Sequence, residues 1–435
     1  MRSYKKYKPT GNELIGDIPE HWSIKRLKNL VSPKITDGPH ETPELVDDDD
    51  SVPFISAEAI TEIGIDYNAR GGNISLELDI IYSQKCKPKR NDIFIVKSGS
   101  TTGRIGYVET DMNFNIWSPL ALVRSDKQTS SRFLYYHLSS DSSQRQIQNT
   151  WSFGTQPNIG MGVIERLQIA IPPLPEQLII SSYLDEQTQK IDKLIANKKA
   201  QKEKLNELRQ IEINNAVTKG VNKNVKLKNS EIEWLGKIPM HWEVKRIKNL
   251  VNQISIKSSE ILENDFLVAL ENIESNTGKY IETVTEYENN GIIFKKGNLL
   301  YNKLRPYLNK IYQAEKDGIC VGDIIVIECS AKINPTFLQY RMLSEAFCSI
   351  VMSSVYGAKM PRTGWQFISN LKIGLPAMEE QIEIANHLQH RMKSINALIK
   401  IIETQVEKLQ ELRKIKIFEA ITGKIKIEQL EEATV

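Results

Sequence analysis

The chain has 435 residues, with 57 Lys and Arg against 54 Asp and Glu, for a formal net charge of +3. That length accommodates two to four domains, and near-neutrality gives no global electrostatic reason to expect nucleic acid, so any such argument must be local. The four cysteines, at 86, 320, 329 and 348, stand in no CxxC or Cys/His spacing, which predicts buried reduced thiols and no zinc site. Residues 1–8 are basic but no apolar stretch follows, and no apolar run is long enough to span a bilayer, so a cytoplasmic protein away from membranes is expected.

In chain order, the first element is a box at 16–31, GDIPEHWSIKRLKNLV. It recurs at 236–251 as GKIPMHWEVKRIKNLV, with eleven of sixteen positions identical. The segment after each box, about 32–167 and 252–371, differs in most residues yet keeps the same order of elements. DIFIVKS (92–98) and NLLYNKL (298–304) read as short strands. LALVRS (120–125) and DIIVIEC (323–329) read as apolar strands, each followed by a helix at 130–140 or 335–344. A Gly- and Pro-bearing loop closes each segment, at 154–157 and 357–361.

A long helix follows each variable segment, entered through PPLPEQ at 172 and PAMEEQ at 376. Proline is tolerated at such a start. The helices end in near-copies, EKLNELRQIEINNAVT (203–218) and EKLQELRKIKIFEAIT (407–422). Apolar residues recur near heptad spacing: Leu184, Ile191, Leu194, Leu205 and Leu208, then Leu388, Ile395, Leu398, Ile402, Leu409 and Leu412. This predicts a coiled-coil seam with polar interruptions at Gln187, Lys198 and Gln201. Each helix needs one partner, and the other copy is the obvious one. The direction follows from reach. About 45 helical residues span roughly 65–70 Å. The link at 220–235 is sixteen residues; fully extended it covers at most about 55 Å. An antiparallel pair is therefore expected, with two globular heads at opposite ends and a pseudo-two-fold relation. The fold class is α+β. The expected boundaries are 1–171 for the first box and head, 172–219 for the first spacer helix and 220–235 for the linker. The second box and head take 236–375, the second spacer helix 376–424 and the tail 425–435.

Catalytic patterns are missing. There is no P-loop, no convincing nuclease pattern and no metal-spaced histidine cluster. Asn334-Pro335-Thr336-Phe337 has the look of an adenine-methyltransferase motif but lacks its second proline, and the aligned stretch of the first copy lacks it altogether. His21-Trp22 and His241-Trp242 sit at equivalent places and read as a repeated packing contact. Residues shared by both copies cannot discriminate two targets, so they belong to the frame; the inserts must discriminate. Basic residues cluster there. The first insert carries Lys85, Lys87, Lys89, Arg90, Lys97 and Arg104 around a Gly/Ser/Thr stretch. The second carries Lys295, Lys296, Lys303, Arg305 and Lys310, interleaved with Tyr301, Asn302 and Tyr307. Cations of this kind neutralise phosphates and read base edges, whereas a solvated charged face is the bland alternative. The candidate DNA-contact residues are Lys97, Ser98, Ser100, Arg104, Thr155 and Gln156 in the first head. In the second they are Asn302, Lys303, Arg305, Lys359 and Arg362.

The box, the DIFIVKSGSTTGRIG strand pair, the FGTQPNIG loop and the PPLPEQ helix start, in that order, resemble the specificity subunit of type I restriction–modification enzymes over essentially the whole chain. The second copy departs at GAKMPRTG and NKLRPYLNK, as a differently reading head should. The resemblance implies a non-catalytic subunit with two target recognition domains, each reading half of an asymmetric bipartite site in double-stranded DNA. It implies a coiled coil acting as a ruler, two methylation subunits packed along the chain and two restriction subunits joining them. S-adenosylmethionine, ATP and magnesium would reside on those partners, with no cofactor in this chain. Competing readings are a free-standing duplicated DNA-modifying enzyme and a coiled-coil scaffold whose heads bind protein.

Overall fold

The computed structural model describes residues 3–62, 64–150, 152–153, 157–258, 266–283, 291–357 and 359–428. The chain divides into two compact units, residues 1–197 with 405–435, and residues 198–404. Each unit therefore takes part of both long helices, Leu174–Lys219 and Met378–Ile421.

The first unit is built on a four-stranded antiparallel sheet in the order Ile105–Tyr107, Ile93–Val96, Leu120–Val123, Thr36–Asp37. All four residues of Ile93–Val96 are buried, which is why the stretch reads as a continuous apolar run. Its two faces serve two cores. Ile93 and Ile95 pack with Trp22, Phe133, Leu134, Ile180 and Leu184 and with Ile417 and Ile421 of the second long helix. Phe94 and Val96 turn the other way, toward Ile55, Ile60, Phe114 and Leu122. The second unit repeats this with different side chains. Its sheet runs Ile311–Gln313, Leu299–Asn302, Ile324–Cys329, Val251–Ile254. Leu299 and Tyr301 face a core containing Trp242, Phe337, Ile213, Val217, Ile384 and Leu388, while Leu300 faces Phe294, Tyr312 and Val326. The period of two along each strand thus sorts every second residue to the helices.

The outer three-stranded sheets differ in topology. In the first unit Val52–Ile55 is central, parallel to Asn115–Ile116 and antiparallel to Gly72–Ile74. In the second unit Gly318–Cys320 is central, parallel to Leu267–Val268 and antiparallel to Ile292–Phe294. The inserts have diverged in connectivity as well as in sequence.

The repeated frame is held by matched bonds. Strand Ser23–Arg26 pairs antiparallel with Gln168–Ile171, and Glu243–Arg246 pairs the same way with Lys372–Leu375. His21 Nε2 lies 2.8 Å from Glu176, and His241 Nε2 lies 2.8 Å from Glu380. Trp22 and Trp242 are fully buried beside them. Gln177 accepts from the Ser130 amide at 2.8 Å, and Gln381 from the Asn334 amide at 2.8 Å. The repeated Glu-Gln pair therefore ties box, helix start and head helix together. The residues preceding each box join it: Tyr7–Lys8 pairs with Ile18–Pro19, and Leu227–Asn229, within the stretch read as a linker, pairs with Lys237–Pro239.

The long helices run antiparallel within each unit. In the second, Lys202 meets Glu403 at 2.7 Å and Glu212 meets Arg391 at 2.7 Å, so partners descend along one helix as they ascend along the other. In the first, Asp192 meets Arg413 at 2.9 Å. The seam differs from the one expected. Leu184, Ile191, Leu388, Ile395 and Ile402 are buried, but Leu194, Leu208, Leu398 and Leu412 are exposed. Leu205 and Leu409 are half-buried, as are Gln187 and Lys198, while Gln201 is exposed and so does not interrupt a seam. Near the heads the helices also bury a second strip, with Ile180 and Leu184 or Ile384 and Leu388 against the sheet core. Serving a head and a partner helix together shifts which leucines face inward.

All four cysteines are free; Cys86 and Cys320 are buried, and Cys329 and Cys348 are half-buried.

Candidate nucleic-acid interface

In each unit a hairpin loop leaves the second sheet strand, 97–104 in one and 303–310 in the other. It is fastened to the loop preceding a short helix, Met161–Arg166 or Trp365–Asn370. The fastening is the same bond twice. The Ile159 amide donates to the Lys97 carbonyl at 2.8 Å, and the Thr363 amide donates to the Lys303 carbonyl at 3.0 Å. Ser98 bridges Asn158 and Leu304 bridges Arg362 in the same manner. The loops that the sequence singled out separately are thus one surface in each unit.

The side chains on that surface fall into two groups. Some cations are tied to carboxylates. Lys97 is buried, and its ammonium bonds Asp37. Asp37 also takes Lys85 at 2.7 Å. Burial alone would raise the Asp37 carboxyl, but the hydrogen bonds from Lys85 and Lys97 outweigh it and hold the pKa below the ordinary value. Lys87 is on Asp79 at 2.6 Å and Arg90 on Asp111 at 2.7 Å, so much of the first basic cluster is neutralised internally. In the second unit Lys303, at the position of Lys97, sits 3.4 Å from Asp323. Arg362 meets the same carboxylate through Nε at 3.0 Å and Nη2 at 2.9 Å. Asn302 is buried and turns its amide to Leu304, donating to the carbonyl and accepting from the amide at 2.9 Å. Tyr301, read with the basic residues, is a core side chain at 2% exposure.

The other described candidates are less tied down. Arg104 is exposed, with Nη1 donating to the Ile60 carbonyl at 3.3 Å. Ser98 is half-buried and Ser100 exposed. Arg305 and Lys359 are exposed. Arg305 takes a left-handed backbone, φ 50°, with its amide held by the Pro361 carbonyl at 2.7 Å. Thr155 and Gln156 lie outside the described residues. The structure adds Tyr307, Tyr356 and Met360, at 50%, 64% and 51% exposure, on the second unit's two loops. Tyr356 and Met360 were missed because an aromatic or a Met ordinarily reads as core until the bridge pairing Tyr356 with Arg362 is seen. The acidic partners Asp37 and Asp323 carried no sequence signal at all, since Asp37 comes from the strand Thr36–Asp37 and Asp323 immediately precedes the strand Ile324–Cys329, both distant in sequence from the lysines they meet.

A repeated frame that presents two chemically different loop pairs is the arrangement of a two-part reader. Residues 19–207 and 239–408 both match the family described as type I restriction modification DNA specificity domain. The chain belongs to that family. Among its relatives is a type I restriction enzyme specificity subunit, MjaVIII, of Methanocaldococcus jannaschii, 27% identical over 95% of both chains. Another is the EcoDI specificity subunit of Escherichia coli, 25% identical over 68% of this chain and 70% of that one. A solved chain described under "complex assembly and conformational transition of the type I R-M system" has a TM-score of 0.69 at 13% identity, covering 94% of this chain and 99% of that one; it shares the fold. The two units are thus two DNA specificity domains of the type I restriction–modification family, and neither a scaffold nor a free-standing enzyme is favoured. Among the described residues no helix is long and apolar enough to cross a membrane.

Proposed function

We propose that this chain is the non-catalytic DNA-specificity subunit of a type I restriction–modification complex. Each unit reads one half of an asymmetric bipartite site in double-stranded DNA, and the antiparallel helices set the distance between the halves. The observation that carries this reading is the pair of fastened loops: identical backbone attachment, Ile159 to Lys97 and Thr363 to Lys303, with different side chains at the tips. Phosphate contacts position such a protein, while the variable polar and aromatic side chains carry the base preference.

The partners follow from a second duplication. Leu178 and Ile382, Leu194 and Leu398, Leu208 and Leu412, and Ile211 and Ile415 are exposed apolar pairs, each 204 residues apart. Apolar residues left outward at the same positions of both helices suit two copies of one partner. We assign them to two methylation subunits, with two restriction subunits joining the assembly. S-adenosylmethionine, ATP and magnesium belong to those partners.

The test is expression with the cognate methylation subunit in a host lacking other methyltransferases, followed by genome-wide mapping of methylated adenines. The expected result is one asymmetric motif of two short halves around a fixed unread gap. A continuous motif, or methylation that persists without this chain, refutes the reading.

A further inference from the structure

The two fastened loop pairs can be superposed by their bonds, and one position then stands out. Lys97 and Lys303 are equivalent through the amide bonds they receive, and two residues later come Gly99 and Arg305. Both have positive φ, 106° and 50°. The loop therefore demands a left-handed residue there. Glycine adopts that conformation freely, and the first unit uses glycine. Arginine adopts it at a cost, because its Cβ crowds the following carbonyl. In the second unit the strain is held by the bond from the Arg305 amide to the Pro361 carbonyl and by the turn Pro306–Leu308 that follows. A strained non-glycine residue at an exposed tip points to a role for its side chain.

The neighbouring cations sharpen the point. Lys303 and Arg362 are both occupied by Asp323, whereas no described residue bonds the Arg305 guanidinium. Tyr307 and Tyr356 stand exposed on the same two loops. A free, forked donor set beside apolar rings matches the major-groove edge of guanine next to a methyl-bearing pyrimidine.

We infer that Arg305 is the specificity-determining residue of the second unit, selecting a guanine through its N7 and O6, and that the first unit, with Gly99, makes no counterpart contact. This rests on the DNA-reading role proposed above. The test uses the complex assembled with its methylation subunits and duplexes randomised across both half-sites. Wild type should select guanine at one position of one half-site. Arg305→Ala should lose roughly tenfold to hundredfold of that preference at that position alone. Arg305→Lys should keep the preference only in part, since an ammonium can reach N7 and O6 but lacks the planar fork. Arg305→Gly, which relieves the backbone, should melt no lower than wild type and still lose the preference, separating reading from folding. Uniform weakening of all sequences with a salt slope smaller by about one unit would make Arg305 a phosphate contact and overturn the inference. Retained guanine preference in the Ala and Gly variants would overturn it too. If the wild-type complex itself selects no bipartite site, the proposed DNA-reading role fails instead.

Discussion

His137 should give the first unit an acid-sensitive contribution that the second unit lacks at the matching position. Its ring is completely buried on the helix Ser131–Ser139. Nε2 accepts from the Ala170 amide at 3.0 Å, so that nitrogen carries no proton. The proton of the neutral ring sits on Nδ1 and is donated to Ser143 Oγ, also at 3.0 Å. Burial pushes the pKa from 6.5 down to about 3, and protonating Nε2 would set two N–H groups against each other. The folded value lies below the unfolded one. The stability this neutral ring contributes is therefore complete above pH 6.5 and falls as pH drops toward the folded value. At pH 5 the unfolded ring is already mostly charged and the folded ring is not, which removes about 2 kcal/mol. That figure depends on the unfolded pKa and hardly on the folded one. Hydrogen exchange at Ala170 and its strand neighbours, compared at pH 7.5 and pH 5 after correction for intrinsic rates, reads the loss locally. His137→Gln keeps an acceptor and a donor but does not titrate, so its pH response should be smaller by that amount. Equal responses in the two proteins would refute the argument. The matching position of the second unit is Arg341, which burial lowers only to about 9 and which stays charged across this range.

Lys97→Met should reduce stability by about 1–3 kcal/mol, because it removes a donor from the buried Asp37 carboxylate while Lys85 remains. The contribution of that pair is present above the ordinary carboxylate pKa of 3.8 and is lost as pH falls through the lower folded value, so urea titrations of wild type and variant should converge in strong acid. Replacing residues 32–167 by the corresponding insert of another family member should change one half of the methylated motif and leave the other intact, as read by genome-wide methylation mapping. The unread gap in that motif should be about 5–8 bp, the spacing expected when two modules enter major grooves one helical turn apart on one face of DNA.

Much of the fold was legible because duplication writes it twice. His21 and His241, or the Glu-Gln pairs at 176–177 and 380–381, recur at matched positions, and the bonds they make recur with them. The inner strands were equally plain as short, nearly continuous apolar runs, since Ile93–Val96 and Leu299–Asn302 are buried on both faces. The seam was only half legible. A leucine at heptad spacing declares that a helix is amphipathic, not which neighbour its face will meet, and Leu194 and Leu398 face outward although Ile191 and Ile395 do not. The surface was legible only as a region. A lysine between apolar runs looks alike whether it points at phosphate or at a carboxylate brought from sixty residues away, and Asp37 decides that for Lys97 only after folding.

The attachment of the loops explains how the proposed reading surface can vary without loss of the fold. Ile159 to Lys97, Thr363 to Lys303, and Arg305 to Pro361 are all backbone bonds. Backbone donors and acceptors are indifferent to side-chain identity, except that proline lacks the donor and a left-handed position favours glycine. The tips can therefore exchange Ser, Thr and Gly for Arg and Tyr while the same bonds hold them to the sheet. The outer three-stranded sheets could even change which strand is central, because their cores, Phe54 with Ile74 and Phe294 with Val268 and Cys320, lie away from the box and the long helices. What cannot change freely is the inner face of each four-stranded sheet, where Trp22 or Trp242 packs against the helices. Truncating either tryptophan to Ala should cost about 3–5 kcal/mol, felt in that unit first. Variation is thus admitted in proportion to distance from the repeated frame, and base preference has room to diverge where the frame does not reach.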